Sequence, residues 1–537
     1  MIKTSLNVFF LMTVIIVAGF ATVAHAQQST PSLTGEWVGN SEPAGRVEFL
    51  RLSLTENSGE ILRPLKAKLS LVQREGDRVR IELSSLKLVM NGTLTGDVID
   101  GEADAPGIKA HFRLMRTVKV SPEVLASYVG AYRFRNGDYF VIDRFPDTPD
   151  TLFVTDVKSG ESRAMYPRSA TEFTGGPALY VTYPTRRTIT FRNDGAHVVD
   201  LDVKGRESGA FATRVPIRQE EVTFKNGDVT LAGTLVLPTA KGKRPALVFT
   251  HGGGAQLREV MWGLGYLYAA RGFVVLSYDK RGVGKSTGNW RESSFEDLAD
   301  DAVAAAKFLQ SRADVNPKQI GFWGLSQGGW IAPLAASRFP DAAFAIALSG
   351  GGLSPAETEL FDTEYELMKA GYSASDVKDA LTFQRLKNEI IASPSSDEKW
   401  EQYVKLRSTA KDAKWFRTQG VDIFGPEQRD NGFWTFMRRF YYYDPSSALR
   451  TMKAPLLAIF GELDTPEGVK AQVRAIKQIM DQAGRRDYLI KVYPNGAHNL
   501  QELPPDNPNE WVRRKRFPPG FFETMVNWTE KAVSRKR

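Results

Sequence analysis

Two rhythms of apolar and polar residues divide the chain. Between about residues 31 and 117 apolar and polar residues alternate over short runs, as in Arg46–Leu54, Ala67–Leu71 and Arg78–Leu83. Glu75-Gly76-Asp77, Asn91-Gly92 and Asp100-Gly101 punctuate these runs as turns. A second stretch, from about 122 to 217, carries Tyr139–Ile142, Leu152–Val154, Ala178–Tyr183 and Thr188–Phe191, with a turn at Asn193-Asp194-Gly195. Alternation sends every second side chain to a buried face, and strands at this spacing predict β-rich domains. We place them over 27–120 and 121–217, the second as a small barrel or sandwich.

The rhythm changes near residue 220. A hairpin about Asn226-Gly227 leads into wholly apolar runs, Ala246–Thr250, Phe273–Tyr278, Ile320–Gly324 and Ala343–Leu348. Helical stretches lie between them, at about 257–271, after the capping-box pattern Ser293-Ser294-Phe295-Glu296, and over Gly328–Arg338. Continuous apolar strands separated by helices predict a parallel sheet covered on both faces. The alternation stops over 353–450, where acids, aromatics and helical spacing predict a helical insertion capping the sheet's C-terminal edge. It resumes with Pro455–Phe460, a helix from about Glu467 to Ala483, Tyr488–Tyr493 and a last helix near Gly520. The α/β unit is therefore expected over 218–352 and 451–537.

The extreme N-terminus changes this picture. Lys3, an apolar run from Val8 to Val23 and the exit Ala24-His25-Ala26 have the form of a secretory signal peptide cut after Ala26. An uncleaved anchor is the alternative, but the run is short for a span and Gly19 interrupts it. The expectation is an exported protein, periplasmic or secreted in a bacterium, with no stable membrane span after cleavage. The 537 residues contain no cysteine, which removes disulfides, thiolate metal sites and a cysteine nucleophile. A net charge of +8 is modest for this length, and no nucleic-acid module is recognisable. The clusters Arg513–Arg516 and Arg535–Arg537 read as solvated surface.

Chemistry concentrates at Gly324-Leu325-Ser326-Gln327-Gly328. A serine hydroxyl is a weak nucleophile and must be held exposed, beside a base and near donors for an oxyanion. An abrupt strand-to-helix turn does this, but leaves no room for side chains two positions to either side, hence Gly-x-Ser-x-Gly. Of five histidines, His25 belongs to the leader, and His111 and His197 lie in the β-rich half. His498 follows the last strand, on a loop at the sheet edge where ligands bind in such folds; His251 follows an earlier strand. Asp464, in Gly461-Glu462-Leu463-Asp464, is the candidate acid, with Glu462 as rival; Asp481 and Asp487 read as solvated. His251-Gly252-Gly253-Gly254 brings bare backbone to the same edge. We expect oxyanion donors from the N–H of Gln327 and from Gly253 or Gly254.

At these residues the chain resembles the α/β-hydrolase superfamily, over about 220–535 apart from the insertion. It is most similar to exported bacterial esterases related to dienelactone hydrolases and to the catalytic domain of prolyl-oligopeptidase-type peptidases. Tyr278-Asp279-Lys280-Arg281-Gly282-Val283-Gly284-Lys285-Ser286 also matches a turn of that group, where it is mainly structural. The resemblance implies an α/β-hydrolase fold with a helical cap, preceded by β-rich domains. Its Ser…Asp…His order argues against His251 as base. It implies a serine hydrolase that cleaves carboxylic esters through Ser326, His498 and Asp464, with a small ester or acyl substrate and neither metal nor cofactor. A peptidase or an acyltransferase on the same residues, or an inert binding protein, remain alternatives. Acidic residues of the insertion, Glu357, Glu359, Asp362, Glu364 and Glu366, either hold a peptide amine or are solvent-facing charges on a cap helix. Its aromatics (Trp400, Trp415, Phe416, Phe433, Trp434, Phe436 and Tyr441 to Tyr443) line a pocket or simply pack.

Overall fold

The computed structural model describes residues 32–145, 148–195, 197–206, 210–393, 396–418, 425–504 and 511–535. The expected leader, with His25, and the final Lys536-Arg537 lie outside them.

The first unit is a nine-stranded antiparallel sheet over Gly35–Thr117. Its strands bury alternate residues, as in Glu48–Leu54, and Trp37, Leu52, Ile99 and Leu114 form its core. The second is an eight-stranded closed barrel, sealed by antiparallel pairing of Gly130–Phe134 with Phe211–Arg214. The expected strand at Ala178–Tyr183 is not one. Its backbone groups are taken piecemeal: Leu179 and Tyr180 donate to the carbonyls of Arg514 and Val512, and Asn40 accepts from the Thr182 N–H. The Ala164 N–H of a barrel strand also donates to the Leu179 carbonyl at 2.7 Å, but among the described residues no ladder forms along the segment.

The third unit is an eight-stranded sheet. Its strands are β1 (Ile217–Asn226), β2 (Val229–Pro238), β3 (Arg244–Thr250), β4 (Val274–Tyr278), β5 (Val315–Leu325), β6 (Ala342–Leu348), β7 (Leu456–Gly461) and β8 (Tyr488–Tyr493), in the order β1-β2-β4-β3-β5-β6-β7-β8. The β1–β2 hairpin turns at Gly227-Asp228, one residue later than expected, and pairs antiparallel with β4. The other neighbours are parallel. Strands β4, β6 and β7 are buried along their whole length, which is why they read as unbroken apolar runs, whereas edge strand β8 is largely open to solvent. Helices α1 (Trp262–Ala270), α2 (Phe295–Gln310), α3 (Gln327–Arg338), α9 (Pro466–Gln482) and α10 (Phe521–Ser534) belong to this unit.

Between β6 and β7 the chain leaves the sheet for a helical cap: α4 (Pro355–Lys369), α5 (Ala374–Ala392), α6 (Asp397–Ala410), α7 (Gly432–Arg438) and α8 (Ser446–Thr451). Capping boxes, Ser354 with Glu357 and Ser373 with Asp376, start α4 and α5. The cap has its own core about Leu367, Phe383, Tyr403 and Trp434, so it is a small domain resting on the sheet. The barrel, by contrast, shares a core with the sheet, one apolar cluster running from Tyr132 and Phe140 through Phe249 to Met525. Asp143 of the barrel accepts from the Gly263 N–H at 2.7 Å, at the start of α1, and burial pushes its carboxyl up to about 7. No helix among the described residues is long and apolar enough to cross a membrane.

Candidate active site

The site grows from the end of β5. Ser326 sits between β5 and α3 with φ 58° and ψ −121°, a backbone region L-residues rarely occupy. Such strain costs roughly 1–3 kcal/mol and persists only where packing over-determines it. Here α3 does so, with Ile331, Ala332 and Ala335 buried against the sheet and the Ser326 N–H donating to the Leu348 carbonyl at 2.9 Å. The flanking glycines have a steric cause: a Cβ on Gly324 would stand 2.0 Å from the Gly328 carbonyl oxygen.

Two further strand ends bring the acid and the base. Asp464 follows β7, and His498 lies on the loop after β8. The loops are tied together by the N–H groups of Glu462 and Leu463, which donate to the carbonyls of Tyr493 and Gly496. Their close approach needs Gly461, where a Cβ would lie 2.4 Å from the Ala497 carbonyl oxygen. The Ser349 hydroxyl, just beyond β6, donates to the His498 carbonyl at 2.7 Å. Asp464 faces the imidazole, its Oδ2 2.8 Å and its Oδ1 3.0 Å from Nδ1 of His498, which leaves Nε2 for other work. Burial draws the His498 pKa down, but the hydrogen bond and charge of Asp464, with the charge of Asp362 on α4, outweigh it, and the net shift is upward. The rival Glu462 is exposed and lies off the cavity, and Asp481 and Asp487 are engaged by Lys477 and Arg485.

A cavity of about 490 Å³ collects these residues: Ser326, Gln327, Gly253, Gly254, Asp464 and His498 all line it. No hydrogen bond joins the Ser326 hydroxyl to His498 among the described residues. Catalytic bonds of this kind are often long in ligand-free enzymes and tighten around substrate. His251 stands outside the cavity, with Nε2 2.5 Å from the Tyr278 carbonyl oxygen, and burial together with Lys280 lowers its pKa to about 4. It is a neutral donor there, unsuited to act as base. The cap closes the cavity with Thr358, Glu359 and Asp362 from α4, and with Phe436 and Met437 from α7. Of the insertion's aromatics, Phe436, Phe440 and Tyr441 line the cavity, whereas Trp415, Phe416 and Trp434, together with the inner side of Tyr441, build the cap's core. No cluster of three metal-ligating side chains occurs among the described residues.

A sequence profile of the alpha/beta hydrolase family matches residues 247–515, half of the chain. The chain belongs to the alpha/beta hydrolase family. Among curated relatives, it is 23% identical over 364 residues to Esterase EstD of Thermotoga maritima, covering 64% of this chain and 79% of that protein. It is 29% identical over 122 residues to the quorum-quenching protein AidA of Acinetobacter baumannii, covering 22% of this chain and 40% of that protein. Solved structures similar to this hydrolase include a dienelactone hydrolase from Anabaena variabilis, at 16% identity and TM-score 0.33, covering 59% of this chain and 98% of that one.

Two features of this hydrolase's site, Lys280 and Trp290, are not singled out by its sequence, and a third, Asp362, is singled out there only as a candidate to hold a peptide amine. Lys280, in the turn after β4, is buried beneath the Gly252–Gly254 loop and touches Gln327. Asp362 accepts from the Thr465 hydroxyl at 2.5 Å and, chiefly through burial, has its pKa pushed up to about 6. Trp290, from the loop before α2, lines the cavity with its ring edge-on to that of Phe436 of the cap, 5.7 Å between centroids. The matched turn did single out Lys280's segment; its neighbours Asp279 and Arg281 do serve structure, in buried ion pairs with Arg258 and Asp301.

Proposed function

We propose that this hydrolase cleaves carboxylic esters of small molecules with Ser326 as nucleophile, His498 as general base and Asp464 as the acid that orients it. The observation that carries the reading is the convergence, on one cavity, of a serine held at φ 58° and a histidine whose Nδ1 is engaged by a carboxylate. His498 Nε2 takes the hydroxyl proton as Ser326 Oγ attacks the ester carbonyl. The oxyanion then receives the N–H of Gln327 and that of Gly253 or Gly254. Collapse of the tetrahedral intermediate expels the alkoxide, which leaves as alcohol with the proton from His498. Water, deprotonated by the same ring, releases the acid from the acyl-enzyme and restores Ser326.

Similarity to an esterase over most of that relative's length supports the ester reading. Glu359 and Asp362 on the cavity wall favour a second one, a peptidase that holds a substrate amine there. Turnover of short nitrophenyl esters against aminoacyl anilides separates the two, and we expect the esters to be much the faster. Ser326→Ala should lower ester turnover by on the order of 10⁴–10⁶ while the fold is kept. A folded Ser326→Ala variant that retains most activity would refute the assignment. The N-terminal run Val8–Val23 with its Ala24-His25-Ala26 exit supports export from the cell, tested by N-terminal sequencing of the mature protein.

A further inference from the structure

We propose that Lys280 is a positioning residue of the oxyanion site, its ammonium holding both candidate donor segments from behind; the proposal rests on the ester-hydrolase reading above. The side chain leaves the turn after β4 and is 1% exposed. An ammonium has three N–H donors, and here three acceptors meet it: the carbonyl oxygens of Gly252 at 2.8 Å and Gly254 at 3.0 Å, and Oε1 of Gln327 at 2.6 Å. No carboxylate forms an ion pair with it among the described residues. The neighbouring charges are turned elsewhere, Asp279 to Arg258 and Arg281 to Asp301, while His251 is neutral and Trp290 presents its ring 5.5 Å away.

The consequence follows from peptide geometry. In a trans peptide unit the C=O and N–H point in opposite directions. A cation that draws the Gly252 carbonyl toward itself therefore turns the N–H of Gly253 away from it, and Gly253 lines the cavity. The same pull polarises the unit and makes that N–H a stronger donor. The Gln327 side chain is held by the third bond, which fixes the first residue of α3, whose own N–H is the other candidate donor. Neither the Gly253 nor the Gln327 N–H has an acceptor among the described residues. One side chain thus registers two segments that lie more than seventy positions apart in the chain.

A buried ammonium without a counter-ion is costly, and an apolar residue of the same length would fill the space without that cost. The charge is favourable when negative charge develops on the far side of the two donors. Burial also lowers the pKa of Lys280 to about 7. Its charge is therefore lost as pH rises through neutrality, while His498 needs a pH above its own raised pKa to act as base. The two requirements oppose each other, and ester turnover should be bell-shaped in pH.

The test measures kcat, KM and their pH profiles for wild type, Lys280→Met and Lys280→Arg on a short nitrophenyl ester. We expect a wild-type kcat that falls on the alkaline side with an apparent pKa near the Lys280 value. Lys280→Met should lose about 10²-fold in kcat with KM little changed, and the alkaline limb should vanish. Lys280→Arg should recover part of kcat and move the limb to higher pH. A Lys280→Met enzyme within about 3-fold of wild type that keeps its alkaline limb overturns the proposal. If Lys280→Met does not fold, Lys280→Gln takes its place, and a folded Lys280→Gln enzyme within about 3-fold of the wild-type kcat overturns the proposal. A wild type with no ester turnover at all, and no labelling of Ser326 by a fluorophosphonate, overturns the esterase reading instead.

Discussion

The two walls of the cavity are built by different physics. On the sheet side, Ser326, Asp464 and His498 sit at the ends of β5, β7 and β8, in loops that backbone hydrogen bonds and forced glycines leave little freedom. On the cap side, Glu359, Asp362, Phe436 and Met437 project from helices held by side-chain packing in a core of their own. Sub-ångström placement matters for proton transfer and oxyanion stabilisation, whereas an apolar substrate group tolerates a softer wall. Chemistry should therefore be lost by touching the sheet side, and selectivity altered by touching the cap.

Asp464→Asn should have the largest effect. It removes the carboxylate that holds the His498 tautomer, and kcat should fall by about 10³–10⁴ while KM changes little. Circular dichroism checks that the fold survives. Phe436→Ala should act in the opposite sense, raising KM for a long-chain ester by roughly 3–10-fold through lost apolar contact while kcat stays close to wild type. Measuring both parameters across a chain-length series tests this; a large kcat loss would mean that the cap also shapes the chemistry. The smallest effect is that of Asp362→Asn. The Asp362 charge helps to raise the His498 pKa, so its removal should move the acid limb of kcat/KM to lower pH. An acid limb that stayed in place or moved upward would show that Asp362 does not face the imidazole.

The same contrast explains what the chain discloses before any coordinates. The buried strands β4, β6 and β7 are legible because burial on both faces demands unbroken apolar runs, and the elbow because its tight turn admits only glycine at 324 and 328. Ala178–Tyr183 has strand composition but no ladder, since its backbone groups are shared among Ala164, a distant C-terminal segment and Asn40, and local sequence carries no trace of that arrangement. The placement of Lys280, and that of Asp362 beside the histidine, were illegible for a related reason. A lysine after a strand and an aspartate on an acidic helix are ordinary surface residues until the fold lays a glycine loop over one and the histidine loop against the other. Phe436 and Trp434 differ by two residues, yet one faces the cavity and the other the cap's core, a distinction set by helix rotation.

The central claim is that residue 326 is a nucleophile made reactive by residue 498. Mass spectrometry of the protein after brief exposure to a fluorophosphonate tests it most directly. One adduct on the peptide containing Ser326, formed rapidly in wild type and suppressed in a folded His498→Ala variant, is the predicted result. No adduct on that peptide, or equal labelling in both proteins, would contradict it.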